Sequence, residues 1–347
     1  MQLASIMIRS ELRFVVEPRL YPTFKSQATI RTNLIDIELN EAIERIASDN
    51  TSGASEIMRA AGAVFSLLKA RNVDKELDVT QVRNAILQVG AALICAQPEM
   101  SPLLRLASAA LSAAKSSTAS LEAFHSAEKA ALLFIEQSRE AAHDSAVNAA
   151  GIIHDGMKVL THSRSSTVLE ALLEARRKKK DFTVFATESR PLFEGRTLAA
   201  SLADNGVSVT LIADAAAPLV MDRADLVLVG ADQLTPQCLV NKIGTRMIAL
   251  AAREKQVPVY AACDSSKFIS EDYCARLKRD YRPSTELWEQ PAAGVEIANL
   301  YFEPVPLTLL NAIITESGTL SIDQASRCAE AASIDDELAE ALKLEIK

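Results

Sequence analysis

"DLVLVGADQLTPQCLVNKIGTRMIALAAREKQVPVYAACD", residues 225–264, decides the fold class. It opens on an apolar run, Leu226-Val227-Leu228-Val229, that ends in Gly230-Ala231-Asp232. A polar loop follows, then a helical stretch over 243–255, then a second β-rich run over 257–264. A buried strand, a helix and another buried strand in this order imply parallel strands joined by a right-handed crossover. Working outward, the same alternation starts after Gly151, with β-rich runs at 157–162, 182–188 and 208–214 and helical stretches at 165–180, 194–205 and 216–222. Upstream the rhythm changes. In "IELNEAIERIAS" (37–48) Ile37, Leu39, Ala42, Ile43 and Ile46 follow the three-and-four spacing of a helix face, and further helices are predicted at 52–71, 79–95, 100–115 and 119–149. Asp78 is a cap for the third, and Ser101-Pro102 a start for the fourth. The expectation is an α/β chain: a mainly helical domain over 1–150 followed by a doubly wound parallel-sheet domain over 151–347. Residues 1–30 are weakly patterned, interrupted by Pro18 and Pro22, and 333–347 read as an acidic terminal helix.

Composition narrows the function classes. Of 347 residues, 49% are apolar and 24% charged, as in an ordinary globular chain. The net charge of −8 argues against a direct nucleic-acid binder, which needs a basic surface. The basic run Arg176 to Lys180 ends a predicted helix, where cations offset the dipole. Five scattered cysteines without a CxxC pair predict reduced thiols in a cytoplasmic protein, with neither disulfide framework nor zinc site. No apolar run reaches the roughly 18 residues of a membrane helix, so no membrane role is expected.

In open parallel sheets ligands bind at the carboxyl ends of the strands. The five predicted strands end in His162-Ser163, Glu188, Asp214, Asp232 and Asp264. "THSRSSTVLEALLEA" crowds Ser163, Ser165, Ser166 and Thr167 around a helix start, where free amides cap or bind an anion and Arg164 adds charge. In the 230–245 loop Lys242 can pair with a phosphate, Asn241 can hold a hydroxyl, and Gly244-Thr245 opens the next helix with free amides. Asp232 is either a turn cap or a general base tuned by apolar surroundings. No GxGxxG or Walker loop is present, which argues against dinucleotide and nucleoside-triphosphate sites.

At these residues the chain resembles a known superfamily. "TESRPLFEGRTLA", "GAD", "VNKIGTRMIALAAR" and "NLYFEPVPLTLLNAIITESG" are similar, in order over about 151–320, to proteins of three groups. These are the alpha, beta and delta regulatory subunits of translation initiation factor 2B, methylthioribose-1-phosphate isomerase and ribose-1,5-bisphosphate isomerase. "SGASEIMRAA" and "AQPEMSPLLRLA" give a looser match in the helical half. The resemblance implies a Rossmann-like second domain, a sugar-phosphate pocket between the domains, a homodimer or higher homo-oligomer, and no metal or cofactor. It also implies a translation-factor partner as one possibility.

Carried over by position, Asp232, Asn241, Lys242, Gly244 and Thr245 match, with Glu188 and Arg190 in the "ESRP" segment and Gly53-Ala54 at the expected phosphate contact of the helical half. In the isomerase branches a cysteine and the Gly-Ala-Asp aspartate move the protons. Here Ser163 stands in the cysteine position, Ser52 precedes Gly53-Ala54 where the isomerases carry arginine, and Glu194 stands where the methylthioribose branch has glutamine. "THSRSSTVLEALLEA" and "ATESRP" look closer to the initiation-factor subunits. The first expectation is therefore an initiation-factor-2B-like protein that binds a phosphorylated sugar or nucleotide. The alternatives are a metal-independent aldose–ketose isomerase using Asp232 and Ser163, and an assembly subunit with an empty pocket.

Overall fold

The computed structural model describes residues 35–49, 53–73, 75–271 and 281–345. The weakly patterned 1–30 segment, Ser52 and Cys274 lie outside them. Five helices build the first half: α1 (Ile37–Ser48), α2 (Ala54–Asn72), α3 (Val79–Ala96), α4 (Ser101–Lys115) and the long α5 (Ser120–Gly151). Their starts are chemically set. Asp78 accepts from the Gln81 amide while the Gln81 side chain reaches back, a reciprocal capping box that satisfies two otherwise orphaned amides. α4 begins with Pro102 in its first turn. By length and mean hydropathy α3 could cross a membrane, yet Val82, Ala85, Ile86, Val89, Leu93 and Ile94 pack into the core of the helical half. Its apolar side faces protein.

The second half is a seven-stranded sheet of order β10-β9-β7-β4-β1-β2-β3. Its strands are β1 (Lys158–Thr161), β2 (Thr183–Thr187), β3 (Ser208–Ile212), β4 (Leu226–Val229), β7 (Val259–Ala262), β9 (Ala312–Thr315) and β10 (Gly318–Leu320). All neighbouring pairs are parallel except β9–β10. α5, α6 (Ser166–Arg177) and α7 (Glu194–Asp204) bury Ala146, Ala171, Leu172, Leu198 and Leu202 against one face. The short α8 (Ala217–Val220), α9 (Thr245–Glu254) and α10 (Ile322–Glu330) cover the other through Ala217, Ile248, Ala249 and Ala325. The expected helical half and doubly wound sheet are both present.

Two details depart from expectation. The 230–245 segment is no plain loop: β5 (Gln233–Leu234) and β6 (Cys238–Lys242) form a hairpin that pairs with β8 (Phe302–Pro306) in a separate antiparallel sheet. Asn241 and Lys242 thus sit on a strand, in fixed register with Glu303 and Phe302. The terminal helix, α11 (Asp336–Glu345), returns to the first half, where Leu338, Ala339 and Leu342 join the helical core.

The order also locates the site. From β1 the chain runs outward to β2 and β3, whereas β4 begins the run on its other side. Adjacent crossovers that leave a strand pair in opposite directions open a crevice at the carboxyl edge. β1 and β4 flank that crevice, and Ser163 and Asp232 follow them.

Candidate functional site

A cavity of about 570 Å³ opens there, between the start of α2 on one side and the β1, β4 and β6 ends on the other. Gly53, Ala54, Ser163, Arg164, Ser165, Asp232, Asn241 and Lys242 all line it. Gly244, Thr245, Glu188 and Arg190 do not, although the first two shape the wall from behind.

The buried wall comes from β6. Asn241 donates through Nδ2 to Thr245 Oγ1 at 2.9 Å, and that hydroxyl donates to the Lys242 carbonyl at 2.7 Å. Thr245 is therefore a positioning residue. Gly244 adopts φ +106°, and a β-carbon there would meet the His162 ring at 3.1 Å, so both backbone and space call for glycine. The free amides expected at this helix start are already occupied: Glu303 Oε1 accepts from the Gly244 amide at 2.7 Å and the Arg246 amide at 2.9 Å. β8 supplies that internal anion, which the sequence reading missed.

Lys242 is only 4% exposed. Its ammonium pairs with Glu194 Oε1 at 2.5 Å and lies 4.6 Å from the Tyr301 ring centroid and 5.2 Å from that of Phe302. The carboxylate and the two π-faces together replace the water it lost. Lys267, buried just past β7, lines the same cavity and faces Asp232 electrostatically without an ion pair within 4 Å. Burial holds the Asp232 carboxyl above the usual aspartate range, and Glu194 adds to the effect, while Lys267 and Lys242 oppose it. Ser101, the start of α4, fastens this corner by donating to the carbonyls of Asp232 (3.1 Å) and Lys267 (2.9 Å).

The other side of the cavity is the start of α6. Ser165 caps it by accepting from the Val168 amide at 3.3 Å. Arg164, Ser166 and Arg59 are exposed at its rim. Gly230 is required by close approach, because a β-carbon would come within 2.5 Å of the Ser165 side chain. On α2, the Gly53 amide is not available to a ligand: it donates to Glu56 Oε2 at 3.1 Å.

Continued strand alternation would turn His162 and Ser163 to opposite faces, but β1 ends at Thr161 and Ser163 turns left-handed at φ +68°, so both line the cavity. His162 Nε2–H donates to the Ile243 carbonyl at 2.8 Å, and Nδ1 accepts from Thr187 at 2.6 Å. Burial pushes its pKa down, which keeps the ring neutral. With both nitrogens engaged it cannot take a proton from Ser163. Among the described residues the Ser163 hydroxyl has no hydrogen-bond partner, while its amide donates to Ser189 Oγ at 2.8 Å.

The remaining strand ends are structural. Glu188 pairs with Arg196 at 2.8 Å. Asp214 accepts from the Ser189 and Arg190 amides, both at 2.7 Å. Arg190 stacks over Phe193 and donates toward the carbonyls of Glu286 and Leu287, and Asp264 caps the Ser266 amide. Sequence reasoning missed Lys267, Tyr301, Phe302 and Cys263 as lining residues. Lys267 and Cys263 were reachable by following the β7 end a few residues further. Tyr301 and Phe302 come from the separate β8 sheet, which had not been predicted.

Fold and site thus define a class: a doubly wound α/β protein with a helical cover and a cavity lined by charged and polar side chains at its switch point. Residues 50–322 match the initiation factor 2 subunit family, IF-2B, and the chain belongs to that family. It is 32% identical to a ribose 1,5-bisphosphate isomerase of Methanocaldococcus jannaschii over 288 residues, covering 81% of this chain and 91% of that one. It is 31% identical to a Pyrococcus furiosus protein described as translation initiation factor eIF-2B subunit 2-like, over 80% of this chain and 94% of that one. Among solved structures, the Pyrococcus horikoshii translation initiation factor eIF-2B superimposes with a TM-score of 0.71 at 29% identity, covering 82% of this chain and 98% of that one. The superfamily resemblance noted in the sequence holds.

Proposed function

We propose that the chain binds a phosphorylated sugar or nucleotide in this cavity and does not interconvert aldose and ketose. The observation that carries the reading is the cavity's two-sided chemistry: an open, capped helix start beside exposed Arg164 on one side, and Asp232 with Asn241 on the other. The phosphate goes to the α6 start, where first-turn amides and the dipole favour an anion. The sugar hydroxyls go to Asp232 and Asn241. The homo-oligomer implied by the resemblance is supported by Leu219, Met247 and Leu250, which are exposed on the adjoining α8 and α9.

Isomerisation is the second reading. The isomerase relatives and the raised pKa of Asp232, a property of acid–base groups, favour it. Against it stands Ser163, whose hydroxyl bonds no base among the described residues, while the neighbouring His162 is engaged at both nitrogens. One thermal-shift and turnover panel tests both. Ribose 5-phosphate or adenosine monophosphate should raise the melting temperature at saturating concentration, and ribose 1,5-bisphosphate should not be turned over. No shift with any phosphate ester rejects binding; ketose product rejects the non-enzymatic reading.

A further inference from the structure

We infer that Glu194 sets the ligand class: its carboxylate closes the buried wall to a second phosphate and admits a neutral, hydroxyl-bearing end instead. The inference rests on the ligand-binding reading above and deepens it. Lys242 is the one lysine of β6 on this wall, and its charge is already matched by Glu194 at 2.5 Å. Opposite them Lys267 and Asp232 line the same cavity, so two lysines meet two carboxyl groups on this wall. Glu194 Oε2 adds a sharper demand. It is buried and has no hydrogen-bond partner. A carboxylate oxygen can only accept, so it calls for a donor, and an unpartnered acceptor of this kind is costly to leave in place.

A sugar hydroxyl supplies that donor; a phosphoryl group brings more negative charge against the same oxygen. The exposed rim differs. Arg59 and Arg164 have no ion-pair partner among the described residues, and the Ser166 and Thr167 amides in the first turn of α6 make no hydrogen bond. One phosphate therefore fits, at the rim, with hydroxyls inward. The ligand class is a sugar or nucleoside monophosphate. A sugar bisphosphate, the substrate type named for the isomerase relatives, would have to set its second phosphate against the Glu194 and Asp232 carboxyl groups.

Calorimetric titration of the full chain with ribose 5-phosphate and ribose 1,5-bisphosphate tests this. The wild type should bind the monophosphate at least about tenfold more tightly. Glu194→Gln keeps the shape and frees the Lys242 charge, so it should tighten bisphosphate binding by about tenfold and narrow the ratio; Glu194→Asp, which keeps the charge, should preserve the preference. Equal or tighter wild-type binding of the bisphosphate overturns the inference and leaves the ligand-binding reading standing, as does a Gln variant with an unchanged ratio. If the Gln variant does not fold, the wild-type ratio alone decides. Binding of neither ester removes both.

Discussion

Two helices, α6 and α9, start at the same carboxyl edge of the sheet, and both read in the sequence as places for an anion. Their fates differ. At α9 the Gly244 and Arg246 amides are taken by the Glu303 carboxylate of β8, so the dipole is satisfied from within. At α6 only the Val168 amide is taken, by the Ser165 cap, and the start opens into the cavity beside Arg164. The "NKIGT" motif therefore builds a wall, and the serine-rich segment leaves its helix start open to the cavity. What separates them is a carboxylate 59 residues further along the chain, delivered by strand pairing between β6 and β8.

The comparison makes energetic predictions. Glu303→Ala strips two amides at α9 of a charged acceptor and should cost about 2 kcal/mol, since hydrogen bonds to charged groups contribute about 1.5–3 kcal/mol. Ser165→Ala removes a single neutral cap at α6 and should cost about 1 kcal/mol. Urea denaturation of the two variants orders them, and a larger loss at Ser165 breaks the contrast.

A pH series sharpens the same contrast at the wall between the two starts. The folded state holds Asp232 above its ordinary pKa, so it binds that proton more tightly than the unfolded chain does. The group's contribution is favourable at low pH and is lost as pH rises through the folded value. Asp232→Asn should therefore be more stable than wild type near neutral pH, with the difference fading on acidification and gone below 3.8, the ordinary aspartate value. An Asn variant less stable at neutral pH contradicts this. Lys267 and Lys242 would then outweigh burial.

How much was legible follows the range of the interactions. The helical half read well because its signals are local: the spacing in 37–48, the cap at Asp78 and Pro102 in the first turn of α4 lie within a few residues of what they control. β1, β2, β4 and β7 read well because buried parallel strands are dense apolar runs. β5 and β6 did not, since a two-residue strand followed by Thr-Pro-Gln looks like a loop until β6 pairs with β8. The site divides the same way. Ser163, Asp232, Asn241 and Lys242 sit at ends that topology brings together. Whether Lys242 is free, however, depends on Glu194 from α7 and the Tyr301 and Phe302 rings where β8 begins, and no spacing encodes that.

The central claim is that ligand phosphate is held at the α6 start and not at α9. Titration of ribose 5-phosphate into Arg164→Ala and Glu303→Gln tests it most directly. The dissociation constant should rise about tenfold in the Arg164 variant, as loss of a charge-assisted contact predicts, and stay within about twofold of wild type in the Glu303 variant. The reverse pattern, with Arg164 silent and Glu303 changing the affinity, would contradict the account.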